Sequence, residues 1–223
     1  VRHRAFELGL ELDSRGYVDW QRFMLAFITH RPKKVDPRVV LHVLANSDTG
    51  RFGALSWEEH MCMVRCQQGH STAVQAKITD SEIHSYIERA KVPNMAVHAT
   101  KVANLQHILS PYDVASGIKP GGPIGDRAHV HMCPYEYSDD RRTAGMRFFS
   151  EAEIYVNMPL WVQDGGIGSV SEQGVILVAE RIPVKYIRRV CLVNSKICVY
   201  SDPSPAAAGW ANCFACPCCG MWW

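Results

Sequence analysis

The apolar residues of this chain change their spacing part-way along it, and that change sets the strongest limit on its fold. Before residue 76 they recur at three- and four-residue intervals, as in Arg4–Leu12 and Val18–Thr29, which is typical of amphipathic helices. From Ala96 onward they form short β-type segments separated by proline and glycine. The predicted strands are Ala96–Ala99, Val130–Cys133, Ala152–Val156, Val175–Ala179 and Ile187–Leu192. The pattern therefore indicates an α+β protein whose strands lie mainly in the C-terminal part.

The N-terminal part follows the element order of a winged-helix module. Asp36 and Pro37 predict the start of a third helix, because Asp caps the free amide groups of a first turn and Pro fits that turn. Two strands are predicted next, at Arg51–Leu55 and Met61–Cys66. Three helices followed by a two-stranded wing are common among nucleic-acid-binding proteins. A further helix at Thr79–Arg89 is expected to connect the two parts, and Val102–Leu109 is a short amphipathic helix.

Length and composition narrow the class of protein. The 223 residues suffice for one large domain or two small ones, and 47% hydrophobic with 21% charged residues argues against a disordered chain. A net charge of +2 argues against non-specific coating of nucleic acid, although arginines gathered in a cleft are compatible with it. No apolar run approaches the ~20 residues that a membrane helix needs. We expect an intracellular protein, cytoplasmic or nuclear. The chain begins at Val1 rather than Met, and we expect it to be part of a longer product.

The nine cysteines fall into two groups. Five are scattered through apolar surroundings, as is usual for reduced intracellular thiols, and the other four are Cys213, Cys216, Cys218 and Cys219. Four thiolates can hold zinc, but structural zinc sites normally split their ligands into two separated pairs. We therefore predict a disordered tail and keep a zinc site as the alternative.

The proline- and glycine-rich loop Gly117–Gly125 is predicted to lie on the surface.

The segment Arg65–Ser71 concentrates hydrogen-bond donors. It contains a guanidinium, two amides, a glycine, an imidazole and a hydroxyl within seven residues. Arginine binds phosphate through a planar pair of N–H groups, and glycine lets the backbone approach a ligand. The segment therefore predicts a phosphate or nucleotide site, with a polar turn between strands as the alternative.

Four other clusters contain side chains that could take part in catalysis or binding. They are Arg2-His3-Arg4, His98-Ala99-Thr100, His129-Val130-His131 and Gly145–Ser150. Each also has a structural interpretation. The first can be a solvated terminus, and the arginine in the last can be a surface residue stacked on the adjacent phenylalanines. The third can be a pair of core histidines or two ligands of a zinc site that lacks the remainder of its set.

In the order and spacing of these clusters, the chain resembles the RNA 2′-phosphotransferase family over about residues 1–190. The matching residues are Arg2-His3, Gly9-Leu10-x-Leu12-Asp13-x-x-Gly16-Tyr17-Val18, Arg51-Phe52, Arg65-x-Gln67-Gln68-Gly69-His70-Ser71, His98-x-Thr100, His129-Val130-His131, Gly145-Met146-Arg147-x-x-Ser150, Asp164-Gly165, Gly174-Val175-Ile176-Leu177, Ile182-Pro183 and Tyr186.

The resemblance implies a winged-helix lobe over residues 1–76 that meets RNA and an ADP-ribosyltransferase-like β lobe over 77–200 that holds NAD, with the cysteine-rich tail at 201–223. It implies transfer of an internal RNA 2′-phosphate, as at a tRNA splice junction, to NAD. The products would be 2′-hydroxyl RNA, nicotinamide and ADP-ribose 1″,2″-cyclic phosphate. The family's essential residues fall on Arg2, His3, Arg65 and Arg147. The residues implied around NAD are Gly69, His70, Ser71, His98, Thr100, His129, His131 and Ser150.

No metal is implied, because arginines can offset the repulsion between RNA phosphate and the NAD diphosphate. We expect a monomer. Among the departures from the family pattern, Ala99 stands where glycine is usual, and Gln173 stands where asparagine is usual. Two other functions are kept as alternatives. One is an ADP-ribosyltransferase that caps terminal phosphates of RNA or DNA, and the other is a catalytically silent RNA-binding module.

Overall fold

Helices and strands alternate through most of the chain, and the strands are antiparallel. The computed structural model describes residues 3–30, 35–46, 52, 54–58, 61–88, 91–110, 112–121, 125, 127–142, 146 and 149–202. The α-helices are α1 (Trp20–Thr29), α2 (Pro37–Ala45), α3 (Thr72–Gln75), α4 (Asp80–Ile83), α5 (Leu105–Ile108) and α6 (Met158–Gln163). The strands are β1 (Tyr17–Asp19), β2 (Ala54–Glu58), β3 (Met61–Arg65), β4 (Ser85–Tyr86), β5 (Ala96–Thr100), β6 (Val130–Met132), β7 (Ala152–Val156), β8 (Ser169–Val170), β9 (Ile176–Val178), β10 (Ile187–Leu192) and β11 (Cys198–Ser201).

The N-terminal part combines α1 and α2 with a three-stranded sheet in the order β1-β3-β2. Asp36 caps α2 by accepting from the backbone of Arg38, and Pro37 occupies the first turn, so the predicted helix start is confirmed. The two strands predicted after α2 are present as β2, which begins three residues later than predicted, and β3, which ends one residue earlier.

Two helix predictions in this part were wrong in extent. The predicted helix Arg4–Leu12 is only a 3-10 turn at Phe6–Leu8, because Gly9 adopts the left-handed conformation (φ 64°) and the Leu10 amide turns back to the Ala5 carbonyl. The predicted helix Val18–Thr29 begins at Trp20, since Tyr17–Asp19 form β1 instead. Asp19 then caps α1 by accepting from the amide of Arg22.

The C-terminal part contains two four-stranded sheets, ordered β11-β10-β7-β5 and β4-β8-β9-β6. All five predicted strands are confirmed, as β5, β6, β7, β9 and β10. The sheets meet where Val97 of β5 and Cys133, just after β6, exchange backbone hydrogen bonds of 2.7 and 2.9 Å. This junction places the ends of β5 and β6 side by side. The predicted helix over Val102–Leu109 is confirmed as a 3-10 turn that continues into α5.

Two further predictions require correction. The helix expected at Thr79–Arg89 ends at Ile83, because the following residues pair as β4 with the distant strand β8. The loop Gly117–Gly125 was expected on the surface, yet Ile118 is 1% exposed and pairs with Ile182. Gly117 allows this approach, since a Cβ at that position would lie 2.3 Å from the Ile182 carbonyl oxygen.

Separate apolar cores stabilise these two parts. The N-terminal core includes Val18, Val64 and Val74, whereas the C-terminal core is built around residues such as Ile154 and Ile176. Among the helices of the described residues, none has the length and hydropathy needed to span a bilayer. The cysteine tail predicted to be disordered lies outside the described residues, apart from Ser201 and Asp202.

Candidate active site

Arg65, the last residue of β3, lies where the N-terminal sheet meets the C-terminal part. Its neighbours across the sheet are Tyr17 and Ala54, and its guanidinium carbon lies 4.8 Å from the centre of the Tyr17 ring. The Arg65 side chain is only 7% exposed, and its Nη2 donates to Oε1 of Glu172 at 2.9 Å. Glu172 follows β8 in the C-terminal part. A buried cation is therefore held at the junction by stacking and by one carboxylate.

The segment that follows Arg65 is buried. Cys66, Gln67, Gln68, His70 and Ser71 are each 6% exposed or less, and Gly69 provides the left-handed turn at φ 75°. Such burial is unlike an ordinary polar turn, which would lie in solvent.

Several polar atoms of this segment face the interior without a hydrogen-bond partner among the described residues. They are Nε of Arg65, Oε1 of Gln67, Oε1 of Gln68 and Oγ of Ser71. Because each unsatisfied buried polar group costs about 1–3 kcal/mol, a cluster of them favours a site that is completed by a ligand or by water.

A second cluster, formed by Asp80, His84 and His129, connects this segment to β6. Oδ2 of Asp80 lies 3.3 Å from Nε2 of His129, and Oδ1 lies 3.5 Å from Nδ1 of His84. Nε2 of His84 donates to the carbonyl oxygen of Gln67 at 2.9 Å. Gln75 adds a hydrogen bond of 2.6 Å to Oδ1 of Asp80.

The charge of Asp80 is stabilised by this cluster. Partial burial alone would raise the pKa of the Asp80 carboxyl, but hydrogen bonds from His129 and His84, with their positive charge, outweigh burial and lower that pKa below its ordinary value. Asp80 and His84 were not among the predicted site residues. Their four-residue spacing at the start of a helix was the available signal, because residues at that spacing face each other.

The predicted histidines of the C-terminal part are connected to each other. Nδ1 of His98 donates to the carbonyl oxygen of His131, and Nδ1 of His131 donates to that of His129, both at 3.0 Å. Since a carbonyl oxygen only accepts, each of these two rings carries a proton on Nδ1, and Nε2 of the neutral ring has acceptor character. The structure thus brings together His129, His131 and His98 at the junction of the two sheets.

Thr100 and Ser150 lie at the neighbouring ends of β5 and β7. The Thr100 hydroxyl accepts from Asn104 at 2.9 Å, and its carbonyl accepts from the amide of Glu151. Ser150 is 9% exposed, and its Oγ lacks a hydrogen-bond partner within the described part of the chain. The segment with His70 and Ser71 approaches the residues before β6, through a bridge from Ser71 to Arg127 and a 3.4 Å bond from the Ala128 amide to the His70 carbonyl.

Two of the four predicted catalytic residues, Arg65 and His3, are among the residues that the structure describes. Arg2 and Arg147 lie outside them. His3 is half-buried, and Ala5, two residues later, belongs to the same core as Val64, the neighbour of Arg65. Within the described residues, no three His, Cys, Asp or Glu side chains are arranged to hold a metal ion.

Comparison with known proteins decides the family. The model of the RNA 2′-phosphotransferase, Tpt1/KptA family matches residues 1–180. The chain belongs to this family. It is thus related to transferase enzymes, and the resemblance inferred from its motifs is confirmed.

The family also has curated members to which this chain is similar. A tRNA 2′-phosphotransferase 1 from Danio rerio is 28% identical over 179 residues, covering 79% of this chain and 72% of its own. A probable RNA 2′-phosphotransferase from Burkholderia lata is 29% identical over 193 residues, covering 85% and 86%. Another from Pseudomonas aeruginosa is 30% identical over 191 residues, covering 84% and 90%.

Proposed function

We propose that this family member transfers an internal 2′-phosphate of RNA, as left at a tRNA splice junction, to NAD. Family membership supports an RNA 2′-phosphotransferase. The observation that carries the finer proposal is Arg65, a buried cation at the junction of the two parts, surrounded by buried polar atoms that have no described partner. Such a cluster suits an anionic ligand, whose oxygens would offset the charge of Arg65 and accept a hydrogen bond from its Nε.

The donors and acceptors of the site also fit NAD as a co-substrate. Oγ of Ser71 and Ser150, and Oε1 of Gln68, need hydrogen-bond partners among the described residues. Ribose hydroxyls and a carboxamide can supply such partners, and the imidazoles of His98 and His131 add acceptors nearby. When bound, NAD supplies an electrophilic ribose carbon with nicotinamide as its leaving group.

The residues of the chain would act mainly by positioning charge. The planar fork of Arg65 binds the 2′-phosphate and keeps it beside the second anion, and Arg2 and Arg147 are proposed to add the remaining positive charge. The same guanidinium groups spread the negative charge that develops on phosphorus. His3 is proposed to donate a proton to the departing RNA 2′-oxygen, because imidazole gives and takes protons near neutral pH.

The arrangement of elements supports an assignment of lobes. The helices α1 and α2 beside an antiparallel three-stranded sheet support a winged-helix lobe that binds RNA. The paired four-stranded sheets support an ADP-ribosyltransferase-like lobe for NAD. We propose that one copy of the chain is sufficient for activity.

The decisive experiment incubates the protein with NAD and a short oligonucleotide that bears one internal 2′-phosphate, followed by mass analysis of both products. The proposal requires that the mass of the oligonucleotide falls by that of one phosphate group, and that nicotinamide and ADP-ribose 1″,2″-cyclic phosphate are formed. A stable ADP-ribose adduct on a terminal phosphate would instead indicate a capping enzyme. Intact NAD and intact oligonucleotide would overturn the proposal.

A further inference from the structure

Glu172 makes contacts that none of the functions assigned above requires. Its Oε1 accepts from Nη2 of Arg65 at 2.9 Å, and its Oε2 accepts from Nε2 of Gln67 at 2.5 Å. One carboxylate therefore takes both donors, although it lies more than 100 positions further along the chain.

The two sides of this contact differ in how firmly they are held. Arg65 is fixed by strand pairing and by its stack on Tyr17, and the Gln67 backbone is held by His84. Both residues are buried. Glu172, in contrast, has a side chain 55% exposed.

The segment that carries Glu172 is a short turn between β8 and β9. The Gly174 amide donates to the Ser171 carbonyl at 2.8 Å, and Gly174 adopts the left-handed conformation at φ 72°. Glu172 stands at the tip of this turn. The donors are thus the fixed partners and the carboxylate is the one that can move away by side-chain rotation.

A carboxylate and a phosphate present similar pairs of oxygen atoms to a donor fork. Both accept charge-assisted hydrogen bonds from arginine in the same planar geometry. The phosphate monoester carries about 1.5 to 2 negative charges near neutral pH, against one for the carboxylate. A phosphate that enters the site therefore competes for the same donors with the stronger charge.

We propose that Glu172 is an internal anion that occupies the phosphate-binding donors of Arg65 and Gln67 and is displaced by the RNA 2′-phosphate. The proposal rests on the proposed function, since that function places a phosphate at Arg65. Glu172 is a positioning residue: without RNA it neutralises the buried guanidinium and keeps the fork in place, and it leaves when the substrate arrives. Gln67 becomes a phosphate ligand, and Nε of Arg65 is a further donor without a partner among the described residues.

The test compares Glu172→Gln with the wild type and with Glu180→Gln. Glu180 is an exposed residue just after β9, so its substitution removes the same charge from the same part of the protein. Binding of inorganic phosphate and of the 2′-phosphorylated oligonucleotide is measured by calorimetry without NAD, and the 2′-hydroxyl oligonucleotide serves as the reference. Thermal unfolding with and without phosphate is recorded in parallel.

Glu172→Gln is expected to bind phosphate and the 2′-phosphorylated oligonucleotide about three- to tenfold more tightly, the range that loss of a partly exposed competing ion pair allows. Its affinity for the 2′-hydroxyl oligonucleotide should stay unchanged, and phosphate should raise its melting temperature by more than it raises that of the wild type. Glu180→Gln should match the wild type. In turnover, KM for the phosphorylated RNA should fall while kcat changes less than twofold.

Equal or weaker phosphate binding by Glu172→Gln would overturn the proposal, because Glu172 would then only support the fold of the site. Should that variant unfold, Glu172→Ala is measured in the same way. Addition of phosphate must then raise the melting temperature of Glu172→Ala back to that of the wild type. The binding measurements involve neither NAD nor turnover. A protein that binds phosphate as expected but releases no nicotinamide would therefore refute the proposed function and leave the role of Glu172 intact.

Discussion

The cluster of Asp80, His84 and His129 gives the most direct test of how the two parts are joined. Asp80→Asn keeps the shape of the side chain and removes its charge. At pH 7 we expect the free energy of unfolding to fall by about 1–2 kcal/mol, which corresponds to a melting temperature lower by about 3–6 °C in a protein of this size.

The magnitude follows from the contacts. Charge-assisted hydrogen bonds contribute about 1.5–3 kcal/mol when short, but the distances to His129 and His84 are 3.3 and 3.5 Å. The Asp80 side chain is also 35% exposed, so solvent screens its charge. Both facts place the expected loss of unfolding free energy at the lower end of the range for charge-assisted hydrogen bonds.

The effect should also depend on pH in a defined direction. Because the folded protein lowers the pKa of Asp80, the carboxylate stabilises the folded state fully above its unfolded pKa of about 3.9. That contribution is lost as the pH falls toward the lowered folded value. The difference in stability between wild type and Asp80→Asn should therefore shrink below about pH 4.

Urea unfolding of both proteins at pH 7, 5, 4 and 3 measures this difference. Asp140→Asn is the control, because Asp140 is exposed and its substitution removes the same charge. Equal stability of wild type and Asp80→Asn at pH 7 would refute the reasoning, as would a difference that grows between pH 4 and pH 3.

Three further outcomes are expected. Arg65→Ala and Arg147→Ala should each lower kcat/KM by about two to three orders of magnitude, as loss of a charge-stabilising donor does, while far-UV circular dichroism stays unchanged; near-normal rates would contradict the assigned roles. Glu153→Ala should destabilise the fold by about 3 kcal/mol in urea titrations, because this fully buried carboxylate accepts from Lys196 and from the Tyr137 amide; a loss below about 1 kcal/mol would contradict it. Turnover should persist in EDTA, since guanidinium groups supply the positive charge; inhibition that zinc or magnesium reverses would show that a metal takes part.

Local chemistry explains why parts of the fold could be predicted. β7 was predicted with its correct bounds because Ala152–Val156 is dominated by apolar, β-type residues and is buried on both faces. The start of α2 was predicted because an aspartate cap and a proline act within one turn. These signals depend on neighbours in the sequence alone.

Long-range pairing explains the wrong predictions. Val18 and Asp19 were included in a predicted helix, yet they pair with β3 some 45 residues later. Ser85 and Tyr86 likewise leave a predicted helix to pair with β8. Hydrogen bonds to a distant strand outweigh the small differences in local helix propensity.

The same distinction applies to the candidate site. The segment Arg65–Ser71 was predicted because its unusual residues are adjacent in sequence. Glu172 was missed as a contact of Arg65, because 107 positions separate the two and no periodicity connects them. Asp80 was missed because its partner His129 reaches it only in the folded chain.

The separation of the two apolar cores has a consequence for engineering this enzyme. The contacts described between the cores are polar and involve Arg65, Gln67 and the Asp80 cluster. The groups that connect the two halves are therefore the same groups that are proposed to bind substrate, or their close neighbours. Replacing them with well-packed aliphatic residues is expected to raise the melting temperature but to abolish the proposed turnover, so gains in heat resistance are better sought inside either core.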